Sequence, residues 1–115
     1  MKVSISWWNL DESEQTIDSL REYLRDEGVE PWHAVTGLGL KMWIADRETN
    51  RWGAVMVWES AEDTRQQLPP NRANDLIGYP PELRTSFDVE ATVEGIHSLT
   101  GLAGLGPALD VRSEA

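Results

Sequence analysis

Residues 37–60 of this 115-residue chain, GLGLKMWIADRETNRWGAVMVWES, read as one long β-hairpin with arms that are apolar on both faces. Counting outward from a turn at Glu48–Asn50 places Leu40, Met42 and Ile44 opposite Trp58, Met56 and Ala54 on one face. The other face then carries Lys41, Trp43 and Ala45 opposite Val57, Val55 and Gly53. A hairpin with one wet face alternates apolar with polar residues. This one needs a cover on each side, and a chain of this length builds a single core. One cover is expected from the chain's own helices and the other from a second copy, because soluble monomers rarely expose so much contiguous apolar surface.

The flanking segments supply the remaining elements. Val3, Ile5 and Trp7 alternate with Ser4, Ser6 and Trp8, a strand with one strongly apolar face. Asn9 to Glu14 signals a helix start, with Asp11 and Glu14 at capping-box spacing. Ile17, Leu20 and Leu24 form the buried stripe of that helix, Gly28 is its expected stop, and Pro31 bars continuation. The first hairpin arm is expected to begin as early as Trp32 or Ala34, and Gly37 and Gly39 mark a bulge or bend within it. Ser60 is read as the cap of a helix through Leu68, ended by Pro69–Pro70, and Arg72–Ile77 as a short helical turn. Thr85 to Glu94 alternates as a half-exposed strand. The order β-α-β-β-α-β predicts an α+β, ferredoxin-like domain over 1–95: a four-stranded antiparallel sheet with both helices on one face. Residues 96–115, rich in Gly and Leu, are expected to be a tail or a docking segment.

Composition narrows the function. With no cysteine, disulfides and thiolate chemistry are excluded. A formal charge of −10 disfavours nucleic acid as a partner. No apolar run is long enough to span a membrane and the N-terminus has no leader pattern, so a soluble cytoplasmic protein is expected. Six tryptophans beside one phenylalanine suit a core, an interface or an aromatic-lined pocket. Two isolated histidines make no metal-binding spacing, and no glycine-rich phosphate loop or serine elbow is present, so no cofactor or metal is expected.

Two segments carry a family resemblance: G-L-G-L-K-M-W-I-A-D at 37–46, with its Gly37, Lys41 and Trp43 pattern, and G-A-V-M-V-W-E-S-A-E-D at 53–63, a small-small-apolar run ending in Trp58. They resemble the YdhR-like monooxygenase family of the dimeric α+β-barrel superfamily, closely over about 25 residues and in element order over about 95. The resemblance implies a homodimer packed sheet to sheet and a pocket lined by aromatics. It also implies a cofactor-independent monooxygenase acting on an aromatic or polyketide-like substrate. A cyclase or isomerase of the same fold and a non-catalytic ligand-binding module remain alternatives, because fold does not fix function.

A cofactor-free oxygenase needs a base or anion stabiliser, an apolar cavity and orienting hydrogen bonds. His33 is the candidate base, against an ordinary loop histidine. Lys41, on an otherwise apolar strand face, is the candidate to hold an enolate or phenolate, against a snorkelling interface lysine. Trp43 and Trp58 are candidate substrate contacts or core residues, and Asn9 is a candidate to orient a substrate oxygen or to make a turn. Arg72, Tyr79 and Arg84 surround the Pro-rich connection and are candidates for a rim.

Overall fold

The computed structural model describes residues 1–60, 72–96 and 106–109. Four antiparallel strands, β1 (Lys2–Asn9), β2 (Leu38–Asp46), β3 (Arg51–Trp58) and β4 (Leu83–Asp88), form one open sheet in the order β2-β3-β1-β4. The helix α1 (Ile17–Tyr23) runs on through a π-helical turn at Leu24–Gly28 and a 3-10 turn at Glu30–Ala34, and α2 spans Arg72–Ile77. The fold is α+β, as the pattern of elements predicted.

The α1 helix starts later than its acidic approach suggested. The capping box is Thr16 with Ser19: Ser19 N donates to Thr16 Oγ1 at 3.0 Å, and Thr16 N donates to Ser19 Oγ at 2.8 Å. The expected Asp11–Glu14 box is replaced by a turn in which Asp11 N donates to Asn9 Oδ1 at 2.8 Å. Ile17, Leu20 and Leu24 are buried as the stripe required, against Trp8, Leu10, Trp52 and Ile77. Gly28 does not stop the helix at a left-handed residue. It lies against Tyr23, where an added Cβ would come within 2.6 Å of the ring.

The hairpin register corrects the one read from the sequence. Asp46 pairs with Arg51, Trp43 with Ala54, Lys41 with Met56 and Leu40 with Val57, so the loop is the four residues Arg47–Asn50. Loop chemistry explains the difference. Asp46 accepts from Glu48 N at 3.1 Å and from the Thr49 hydroxyl at 2.8 Å, and Asn50 takes the left-handed conformation at φ 54°. A shift of one residue moves each side chain to the other face relative to the opposite strand. Lys41, Trp43 and Ala45 therefore share a face with Trp52, Ala54, Met56 and Trp58, and Leu40, Met42 and Ile44 share the other with Gly53, Val55 and Val57.

The first of these faces lies under the helices, where Ser6, Trp8, Trp52, Ala54 and Trp58 are buried. The opposite, outer face carries the apolar alternation of β1, Val3, Ile5 and Trp7, beside Leu40, Met42, Ile44, Val55, Val57 and Phe87. Nothing among the described residues covers it: Met42, Ile44 and Phe87 are 38%, 40% and 54% exposed.

Two boundaries also differ from expectation. β2 begins at Leu38, with a register irregularity between Leu38 and Leu40, so Gly39 marks a bulge, while Gly37 lies before the strand in a turn at φ 78° and Trp32 and Ala34 belong to the 3-10 turn. β4 ends at Asp88 rather than Glu94: its last rung is Lys2 with Asp88, continued only by Val89 N to Met1 O at 3.1 Å. Beyond it Val93 is 94% exposed. The expected helix from Ser60 lies over 61–68, outside the described residues, as do 97–105 and 110–115 of the C-terminal segment. Its described part docks on the same chain, with Arg25 Nε donating to Ala108 O at 2.9 Å and Ala108 packing on the core. Among the described residues no helix is long and apolar enough to cross a membrane.

Candidate functional site

Between the inner sheet face and α1 with its π and 3-10 turns lies a cavity of about 520 Å³, an ordinary size for a small-molecule site. Its aromatic wall consists of Trp8, Trp32, Trp43, Trp52 and Trp58, five of the six tryptophans in the chain, with Tyr23. Trp7, the sixth, is on the outer sheet face, its Nε1 donating to Glu82 at 3.1 Å. The strands supply the floor in rows across the sheet. Lys41, Met56, Ser4 and Ser86 form one row, and Trp43, Ala54, Ser6 and Arg84 the next.

Lys41 is the chemical centre of this space. Its Nζ lies 3.3 Å from the centroid of the Trp32 ring and 4.7 Å from that of Trp43. No carboxylate among the described residues pairs with it. Burial pushes its pKa down from 10.5 to about 7, because an ammonium withdrawn from water loses hydration that apolar walls do not replace. The two indole faces favour the ammonium and work against that fall. With that pKa the amine is available as a base when neutral and as a charge partner for an anion when protonated. Ser4 adds a second polar feature: its hydroxyl is buried with no hydrogen-bond partner among the described residues.

The sequence-derived candidates separate on this geometry. Lys41, Trp43 and Trp58 come together in the cavity lining, as does Arg84. His33 does not: its side chain is 68% exposed, 3.8 Å from Glu30, and outside the lining. Asn9 ends β1 and makes the turn to Asp11, while its carbonyl accepts from the Tyr79 hydroxyl. Tyr79 in turn accepts from Trp8 Nε1 at its own carbonyl, 2.9 Å away. Both residues tie β1 to the segment after α2 and stand outside the lining. Arg72 opens α2, and its side chain lies outside the described residues.

Sequence reasoning missed Trp32, Ser4 and Lys2 as lining residues. Trp32 reaches Lys41 only because the chain continues through the 3-10 turn instead of entering the strand early. Ser4 and Lys2 stand on what reads as the polar side of β1, and only the observed packing shows that this side faces inward. No group of three His, Asp or Glu side chains converges among the described residues. The sequence matches no known family and no curated protein.

Proposed function

We propose that this chain forms a ferredoxin-like dimeric α+β barrel, a cytoplasmic homodimer packed through its outer sheet faces, whose cavity binds a planar aromatic or polyketide-like molecule and oxygenates it without a cofactor. The strand order β2-β3-β1-β4 and the helices over one face support the fold, and the apolar outer face supports the dimer. The observation that carries the functional reading is Lys41, an amine with pKa near 7 held between two indole rings in a tryptophan-lined cavity.

The neutral amine takes the proton of a phenol or enol, and the resulting ammonium stays beside the anion and stabilises it. The electron-rich anion reduces O₂ itself. At a ring CH₂ activated by that anion, one oxygen atom becomes the new carbonyl oxygen, and the other leaves as water with the two hydrogens. Trp43 and Trp58 present faces for the ring system. Lys41 thus takes the role of base that the sequence suggested for His33.

Oxygen uptake with an anthrone-like phenol tests this reading. Uptake by the native chain that falls at least tenfold in Lys41→Met, with the circular dichroism spectrum retained, supports it. Turnover in the absence of oxygen overturns it in favour of a cyclase or isomerase. A second reading, a non-catalytic binding module, is favoured by the lack of any His, Asp or Glu in the cavity lining among the described residues. It predicts tryptophan quenching by the same phenol with no turnover.

A further inference from the structure

Charge is distributed unevenly in this molecule. The chain as a whole carries −10, yet its only two lysines, Lys2 and Lys41, line this single cavity together with Arg84. No acidic side chain joins them among the described lining residues. Lys2 is neutralised by Asp88 at 3.1 Å, whereas neither Lys41 nor Arg84 has an ion-pair partner among the described residues. An acidic protein with a cationic, aromatic pocket attracts aromatic anions there and repels them elsewhere.

The cations are also spaced. Lys41 stands on the edge strand β2, while Ser4 stands two strands away in the same row and pairs with Ser86 on β4. At roughly 4.8 Å per strand, Lys41 and Ser4 are about 10 Å apart at the backbone. Arg84 borders this second pole, one row along and opposite Ser6. The buried Ser4 hydroxyl has no partner among the described residues, a cost that a ligand acceptor or a water molecule would remove. Between the poles lie Met56 and Ala54, an apolar floor.

We propose that the ligand is an elongated aromatic acid, with a phenolic or enolic oxygen at Lys41 and a carboxylate at Ser4, Ser86 and Arg84, two to three strands across the sheet (about 10–14 Å at the backbone), its rings spanning the floor between them. This rests on the reading of the cavity as a binding site for planar aromatics and adds a second, acidic anchor. It does not require turnover. The carboxylate accepts from the Ser4 and Ser86 hydroxyls and from the Arg84 guanidinium, a charge-assisted set.

Three matched probes test it by tryptophan quenching and calorimetry on the full chain: 6-hydroxy-2-naphthoate, 2-naphthol and 2-naphthoate. The hydroxynaphthoate is expected to bind at least tenfold more tightly than 2-naphthol, with the advantage shrinking as salt is raised. Arg84→Met and Ser4→Ala are each expected to bring the ratio of the two affinities down severalfold. Arg84 is exposed, so its variant tests the anchor with little risk to folding. Equal affinities for hydroxynaphthoate and naphthol overturn the acidic anchor and leave the aromatic site standing. A ratio that survives both substitutions overturns the assignment to these residues. If none of the three probes binds, the cavity reading falls as well.

Discussion

Lys41 and Trp32 meet across the cavity, the amine nitrogen 3.3 Å from the centre of the indole ring, although one belongs to a strand and the other to a 3-10 turn nine residues earlier. The contact joins the two regions that build the pocket. The burial of the amine in that pocket, rather than the ring contact, makes stability depend on pH.

The folded pKa of Lys41, about 7, lies below the value of 10.5 for a solvated lysine. Below pH 7 both states carry the proton, and the cost of the buried charge is fully present. Between 7 and 10.5 the unfolded chain holds more protons than the folded one, so stability rises with pH. The full linkage is about 1.4 kcal/mol per pH unit. Partial exposure and the indole contacts reduce it, so the native chain should gain roughly 1–2 kcal/mol relative to Lys41→Met between pH 7 and 9. Urea titrations of both proteins at pH 6, 7, 8 and 9 measure this, and parallel pH profiles would refute it.

Trp58 and Trp43 line the same cavity but differ in structural weight. Trp58, on central strand β3, is 1% exposed, and its truncation to alanine should cost about 3–5 kcal/mol. Trp43, half-buried on edge strand β2, should cost roughly 1–2 kcal/mol on truncation while weakening aromatic binding severalfold. Chemical denaturation paired with ligand quenching separates the two effects.

Gly53 sits where β3 passes close to β1. A Cβ there would come within 2.1 Å of Ser6 O and 2.8 Å of Trp7 Cβ, both in the body of the neighbouring strand. Neither atom can swing aside as a side-chain tip would. Gly53→Ala should destabilise the fold by more than about 2 kcal/mol, visible in the urea midpoint, although alanine is the smallest possible addition.

The outer face offers a direct test of assembly. Light scattering should give twice the 13.0 kDa chain mass, and Met42→Glu or Val55→Lys should return the single-chain mass without loss of the far-ultraviolet spectrum. A native chain already at the single-chain mass at micromolar concentration would remove the dimer from the proposal.

For the reaction, His33 and Lys41 make opposite predictions. With His33 exposed and away from the cavity, His33→Asn should change oxygen uptake less than twofold, whereas Lys41→Met should reduce it at least tenfold. The native rate should rise with pH through about 7, as Lys41 becomes able to accept a proton. The reverse ranking of the two variants would return the base to His33.

The extent to which this could be read from the sequence follows from physics. The helical stripe Ile17–Leu20–Leu24 was legible because its period reports the buried face, and the strands because alternation and short apolar runs mark extended chain. The inward direction of β1 was not. Its apolar side, Val3–Ile5–Trp7, looks outward, and its serine-bearing side forms a cavity floor, the opposite of what alternation implies for an isolated domain. Lys41 and Trp43 were recognisable as candidates from residue type, but Trp32 was not, because its role depends on a turn between helix and strand. The register could not come from pattern, since both hairpin faces are apolar, and the side-chain hydrogen bonds of the loop had to decide it.

That loop therefore holds more information than the arms it joins. In most hairpins a slipped pairing exposes apolar residues and is rejected on energy alone. Here a slip would exchange Leu40, Met42 and Ile44 for Lys41 and Trp43, and both sets are largely apolar, so the pattern of the arms alone does not select the alignment. Asp46, Thr49 and Asn50 act as the reading frame of the ribbon. Inserting or deleting one residue between 46 and 51 would leave a sheet of much the same composition but turn the amine out of its pocket. Such a length variant would differ from this protein in chemistry far more than in architecture.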